Sequence, residues 1–468
     1  MFDTAYWKQQ AKECQTALLN DLKPLLKIQS VRDDALASEE NPFGPGPAEA
    51  LHYMLALAER DGFETENLDN YAGVIRYGHG EKILGILAHL DVVPATGEWI
   101  SPPFEPTIRE GQLFARGASD DKGPAMACYH ALLLLKKAGI EPGMQIHFIL
   151  GTDEESGWGC MDHYFAHQPM PDMAFSPDAD FPIINGEKGM FNIPMTFTSP
   201  VQQGDYTLLS FEAGSRANIV AEHASATLSG NSFKELLDDW QDFLAAHPEI
   251  KGASTLENDQ LTLLCHGKSA HAMEPECGVN AGTYLLTFLS RHALTNATAY
   301  SHFIARYLHQ RTDGVALGID AHDDIMGDVT VNPGIFDFSE NKGHVLLNIR
   351  YPRTTHLEEI LAVLEPLVEK HQGTCGPLQH PQEAHYVPAD HPLVKTLLDV
   401  YHTHTGNIAH ERSIGGGTYG RLVPCGVAYG MTMPDSNVVI HQPNESLYLK
   451  DLEQATAIYA DAIYQLTK

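Results

Sequence analysis

The apolar positions of this chain change period as it runs. Within residues 5–28, Leu18, Leu19, Leu22, Leu25 and Leu26 recur at helical spacing, and residues 48–60 repeat the pattern. Residues 71–77 and 82–88 then read as strands, 122–138 as a long amphipathic helix, and 145–150 as another buried strand. The run Gly85-Ile86-Leu87-Ala88 has no polar alternation, which marks a strand covered on both faces. Strands alternating with helices in this way predict an α/β layer domain with a mostly parallel sheet.

Past about residue 186 the texture changes. Residues 190–198 and 206–211 resemble strands and 232–246 a helix; a related run follows, with strands near 329–331 and 344–350 and a helix over 357–370. Two strand-strand-helix units point to an inserted α+β domain with an internal duplication, although their identity is too low to establish a repeat. From His391 the α/β texture returns, with a helix to about residue 404, a strand near Val427 and a helix over 447–466. The expected organisation is therefore a catalytic α/β domain formed by residues 1–186 and 384–468, interrupted by a second domain at 187–383.

Composition changes this picture little. At 468 residues the chain is too long for one ordinary core, in keeping with more than one domain. With 30 basic against 61 acidic residues, the net charge of −31 repels phosphate backbones and anionic lipid, which excludes nucleic-acid and membrane partners from the reading. The seven cysteines are scattered with no C-x-x-C pair, as expected in a reducing compartment. No basic-then-apolar leader opens the sequence and no uncharged apolar run reaches spanning length, so a soluble cytoplasmic protein is expected.

Chemistry concentrates where the apolar runs end. The strand through Ala88 runs into His89 and Asp91, a metal-type histidine followed by an orienting carboxylate. Asp120 and Asp121 stand just before a helix start, Asp153, Glu154 and Glu155 follow the strand ending at Leu150, Asp178 lies in Ser176-Pro177-Asp178-Ala179-Asp180, and His441 follows a short apolar run far downstream. Each has an ordinary alternative. A lone Asp before a helix is a cap, adjacent carboxylates can sit in a solvated loop, and a late His can be structural. Together they supply mixed nitrogen and oxygen ligands for two divalent ions, without thiolates. Two ions about 3.5–4 Å apart need one shared carboxylate, and Glu154-Glu155 then divides into a ligand and a free base, the equipment of a hydrolase.

The strings His89-Leu90-Asp91, Ala118-Ser119-Asp120-Asp121-Lys122-Gly123, Asp153-Glu154-Glu155-Ser156-Gly157, Pro177-Asp178-Ala179 and the late His441 resemble the M20 family of dinuclear zinc peptidases. Gly151 to Trp158, Asp120 to Pro124 and Gly415-Gly416-Gly417-Thr418-Tyr419 are most similar to its dipeptidase V branch, and the resemblance spans essentially the whole chain. It implies a zinc-exopeptidase type of catalytic domain and a lid of two ferredoxin-like halves. It also implies one metal on His89 and Asp178, the other on Glu155 and His441, and Asp120 bridging them. Glu154 becomes the general base and Asp91 the partner that orients His89. Asp121 receives no role beyond solvation or capping.

In the lid, the resemblance offers His271 for the developing oxyanion, and Asn218 and Arg350 for the substrate carboxylate, the last suited to it as a planar fork. The loop Gly416-Gly417-Thr418 can bring backbone N–H groups close to that carboxylate, its alternative being a plain flexible turn. The expected enzyme is a monomeric aminodipeptidase that cleaves dipeptides and similar short peptides with a free N-terminus, by a two-metal-activated water and a Glu base. Zn²⁺ is the first expectation, with Mn²⁺ or Co²⁺ as alternatives. The rivals are an amidohydrolase of N-acylated amino acids and a catalytically silent binding protein on the same fold.

Overall fold

The computed structural model describes residues 2–339 and 341–468. The chain forms two compact units: Met1–Gly186 with Tyr386–Arg412 and Gly417–Lys468, and Glu187–His385 with Ser413–Gly416.

In the first unit six strands lie in the order Glu64–Leu68, Ala72–Tyr77, Gln145–Gly151, Ile83–His89, Met173–Ser176, Gly426–Ala428. The first two pairings are antiparallel and the remaining three parallel. Every residue of Ile83–His89 is buried. Its side chains alternate between two cores: Leu84, Ile86 and Ala88 join the helices Thr4–Lys27, Lys122–Lys137 and Leu449–Thr467, whereas Leu87 faces Ile149, Tyr164 and Ala174. That is why the sequence shows no polar alternation here. The parallel register sets His89 beside Gly151, so the segments carrying His89 and Glu154-Glu155 leave the sheet at the same edge. Ligand sites of open α/β sheets form at this carboxyl edge. No helix among the described residues is long and apolar enough to cross a membrane.

His147, in Gln145–Gly151, is 2% exposed; its Nδ1 lies 3.3 Å from the Tyr164 hydroxyl and its Nε2 has no hydrogen-bond partner among the described residues. Burial, with Arg76 adding to it, drives its pKa from 6.5 down to about 4. Between those values the unfolded chain binds a proton that the folded chain refuses, so stability is expected to rise with pH through this window. The contribution is about 2 kcal/mol once solvent screening is allowed for. Melting curves of wild type and His147→Leu at about pH 4.5 and pH 7 check this. The wild type should lose more on acidification, and parallel losses would refute the assignment.

The second unit holds a nine-stranded antiparallel sheet running Lys251–Glu257, Gln260–His266, His223–Gly230, Tyr206–Ala213, Thr330–Ser339, Lys342–Tyr351, Gly189–Thr198, with the last also edged by Gly373–Cys375 and Gln379–Gln382. Helices Lys234–Ala246, Ala281–Leu289 and Leu357–Lys370 share one apolar core with it. The strand expected near 329–331 is far longer, because its Asn332-Pro333-Gly334 interruption is a shift of register between Pro333 and Ile335, not an end. A Cβ on Gly334 would stand 2.4 Å from the Ala217 carbonyl oxygen, so glycine is needed for the loop before Asn218 to approach this strand.

Candidate active site

His89 is the last residue of its strand and 1% exposed. Its Nδ1 lies 3.0 Å from the Asp91 carbonyl and 3.5 Å from Asp91 Oδ1, which leaves Nε2 pointing outward, 3.0 Å from Asp120 Oδ1 and 3.6 Å from Asp178 Oδ2. The Asp91 carboxylate does a second job: Oδ1 accepts the backbone N–H of Glu154 at 3.0 Å and Oδ2 that of Glu155 at 3.1 Å. One buried side chain thus fixes the imidazole and the acidic loop together, as carboxylates behind metal-bound histidines do.

Asp120 stands between the two histidines, Oδ1 on His89 Nε2 and Oδ2 2.7 Å from His441 Nε2. His441 Nε2 also lies 3.1 Å from Glu155 Oε1. Potential ligand atoms of His89, Glu154 and Asp178 fall within 4.8 Å of one another, and so do those of His89, Asp120 and Glu155. The structure therefore brings together, within the first unit, all five residues expected as ligands, along with Glu154 and Asp91.

The electrostatics fit divalent cations. Burial works against protonating His89, but Asp120 and Asp91 outweigh it and hold the imidazole well above its ordinary range. His441 is likewise pushed up to about 11, burial being overcome by Asp120 and Glu155. Desolvation acts to raise Asp120, yet hydrogen bonds from His441 and His89 hold it well below the usual carboxylate range. Burial raises Glu154 strongly, with Asp178 and Glu155 adding and His89 opposing. Asp178 is pushed up to about 7 by burial and by Asp120. Carboxylates outnumber the positive charges here, and two imidazoles serve as the balancing cations; an oxygen-and-nitrogen donor set of this kind accepts Zn²⁺, Mn²⁺ or Co²⁺.

Asp121 corrects an expectation. It is wholly buried, makes no side-chain capping bond to its helix, and accepts the backbone N–H of His89 at 3.0 Å through Oδ2. It is not solvated, and although it holds the N-cap position, where its carbonyl accepts the Ala125 N–H at 2.8 Å, its side chain turns to the N–H of the adjoining strand. Two contributors received no role in the sequence reading. Glu445 accepts from the backbone N–H groups of Ser119 and Asp120, at 3.0 and 3.3 Å. Lys122 is fully buried and donates to the carbonyls of Leu25 and Ile28, at 3.2 and 2.8 Å. Lys122 stood in the sequence only as part of the motif after Asp120 and Asp121, with no role attached; a glutamate acting on a backbone N–H group 325 positions away leaves no signal.

The remaining expected residues fall chiefly in the second unit. The Asn218 carbonyl accepts the Ala272 N–H at 2.9 Å and Ile219 bridges to His271, so Asn218 and His271 are neighbours, both exposed. Asn332 holds that loop, its Nδ2 donating to the carbonyls of Ala217 and Ile219. Arg350, near the end of Lys342–Tyr351, is 3% exposed, with Nε donating to Asn348 Oδ1 at 2.9 Å and Nη1 to the Gly415 carbonyl at 2.6 Å. Gly415 needs its lack of a side chain, since a Cβ would meet Met273 Cβ at 2.6 Å. Gly416 belongs to this unit, whereas Gly417 and Thr418 belong to the first. Thr418 is buried and its Oγ1 accepts the Gly420 N–H, capping a short helix.

An α/β sheet with histidines and carboxylates converging at its carboxyl edge defines the class: a hydrolase scaffold built for metal ions. The chain belongs to the peptidase family M20/M25/M40, whose pattern matches residues 85–465. It is 41% identical over 466 residues, 99% of this chain and 98% of the relative, to the Beta-Ala-Xaa dipeptidase of Lactobacillus delbrueckii subsp. lactis. Among solved structures it resembles the aminoacylhistidine dipeptidase of Vibrio alginolyticus, with TM-score 0.58 and 17% identity over 96% of each chain. It also resembles human carnosine dipeptidase 1, with TM-score 0.58 and 14% identity over 99% of this chain and 98% of that one. The family and the fold expected from the motifs are thereby established.

Proposed function

We propose that this protein is a dinuclear metallo-dipeptidase that hydrolyses the peptide bond of dipeptides and similar short peptides with a free N-terminus. The observation that carries this reading is the pair of metal-capable groups sharing His89, with Asp120 facing one histidine through each oxygen. The Beta-Ala-Xaa dipeptidase relative supports the substrate class. When bound, a pair of Zn²⁺ ions, or Mn²⁺ or Co²⁺ in their place, supplies Lewis acidity and positive charge.

The chain's own groups do the rest. His89, Asp178, Glu155 and His441 are assigned as ligands and Asp120 as the bridge. Glu154 takes the proton from the attacking water and passes it to the leaving amine, a role for which a carboxyl raised by burial is suited. Asp91 keeps His89 and the Glu154-Glu155 backbone in register. His271 is assigned to the developing oxyanion, and Asn218, Arg350, Gly416, Gly417 and Thr418 to the substrate carboxylate.

A substrate panel tests the proposal. With added Zn²⁺, Mn²⁺ or Co²⁺, unmodified dipeptides should be turned over and N-acylated amino acids should fall behind by roughly 100-fold or more in kcat/KM. Turnover of the N-acyl compounds with none of any free dipeptide would overturn it in favour of an amidohydrolase.

A further inference from the structure

Arg116 and Glu445 form an ion pair almost wholly out of solvent, with side-chain exposures of 1% and 0% and Nη1 2.6 Å from Oε2. Such a pair is a poor source of stability, because the cost of desolvating both charges offsets their attraction. Its contacts supply another reason for it. Oε1 of Glu445 accepts the N–H groups of Ser119 and Asp120, and Ser119 Oγ donates to the Ser446 carbonyl at 2.7 Å. Arg116 Nη2 donates to the Pro94 carbonyl at 3.3 Å, and the guanidinium lies 5.2 Å from the Trp99 ring centroid. Pro94 closes the segment that opens with His89, Asp120 follows Arg116, and Glu445 follows His441 along the chain. One ion pair therefore touches three ligand-bearing segments.

His441 has particular need of such an anchor. Its side chain is 48% exposed and its φ is 59°, a left-handed conformation that a residue with a Cβ keeps only where the surroundings hold it. After it Asn444 accepts the N–H of the exposed Ile100 at 2.8 Å, and the first buried residue is Glu445, whose carbonyl also accepts the Ala115 N–H at 3.2 Å.

We propose that Arg116 and Glu445 are positioning residues that lock the His89, Asp120 and His441 segments into one geometry, and so set the affinity of the site for its ions without touching ion or substrate. The inference rests on the metal-site reading given above. Zn²⁺ titration of the full chain against a competing chromophoric chelator tests it, alongside the visible spectrum of the Co²⁺ form.

Glu445→Ala should weaken at least one Zn²⁺ by about 10–100-fold and alter the Co²⁺ spectrum. Glu445→Gln, whose amide oxygen can still accept from Ser119 and Asp120, should restore the affinity to within several-fold of wild type. Wild-type affinity and spectrum in Glu445→Ala would overturn the proposal. Equal loss in both variants would trace the effect to charge rather than to the grip on those N–H groups, and would overturn it too. Should Glu445→Ala not fold, the double variant R116L/E445L, which leaves no buried charge unpaired, takes its place with the same loss expected and unchanged affinity overturning. A wild type that takes up no pair of Zn²⁺ ions defeats the metal-site reading itself. Uptake of two by wild type and variants alike, with equal affinity, defeats only the positioning role.

Discussion

Glu154→Gln is expected to lower kcat by roughly 10³-fold, in the range lost with a general acid–base group, while two equivalents of metal remain bound. The substitution keeps the shape of the side chain and leaves the backbone held, since Asp91 accepts the N–H of residue 154 and not its carboxyl. What disappears is the group that accepts a proton. Glu155→Gln is the contrasting variant: Glu155 Oε1 lies 3.1 Å from His441 Nε2, so its loss should remove a ligand and lower metal content as well as rate. Metal analysis and steady-state kinetics on both variants separate the roles. The ligand atoms of Glu154 are close enough to His89 and Asp178 to compete as a metal ligand. If Glu154→Gln loses a metal equivalent, or keeps more than about a tenth of kcat, the base lies elsewhere.

The parts of this structure that were legible in the sequence are those where one local pattern has one physical cause. The all-apolar run 83–88 reads as a doubly covered strand, and His89 closes that strand while Glu154 and Glu155 follow the end of the next, where chemistry collects. Lys251–Glu257 was invisible because it is an exposed edge strand with almost no buried side chain to leave a period. His223–Gly230 buries only Leu228 among large residues, beside the small Ala224 and Ala226, which give little signal. Within the site, the candidate ligands that the structure brings together could be read because metal chemistry restricts residue type. Asp121 and Glu445 could not, because each acts on backbone N–H groups, which every residue carries. The boundary of legibility thus follows chemistry: side chains of the types that metal ions select announce themselves, and those that hold the backbone emerge only from the fold.

As the proposed bridge, Asp120 is the residue on which both ions should depend, and Asp120→Asn the change expected to cost most. Its two oxygens face different histidines, at 3.0 Å and 2.7 Å, so replacing one with an amide nitrogen sets a donor where a cation belongs. Losing the bridge removes several kcal/mol of charge stabilisation from the reaction, so kcat/KM should fall by roughly 10³-fold or more. Binding gives a second readout. Zn²⁺ at about 100 times its Kd raises wild-type stability by about 2.7 kcal/mol per site, and that Zn²⁺-dependent rise in melting temperature should nearly vanish in Asp120→Asn. The fold should survive, since the Asp120 N–H remains held by Glu445 and only its carboxylate changes. Two tightly bound equivalents and a wild-type melting shift in the variant would show that each ion is held without a shared carboxylate. The sites would then be independent, and the division of labour between Glu154 and Glu155 would need to be rebuilt around separate ions.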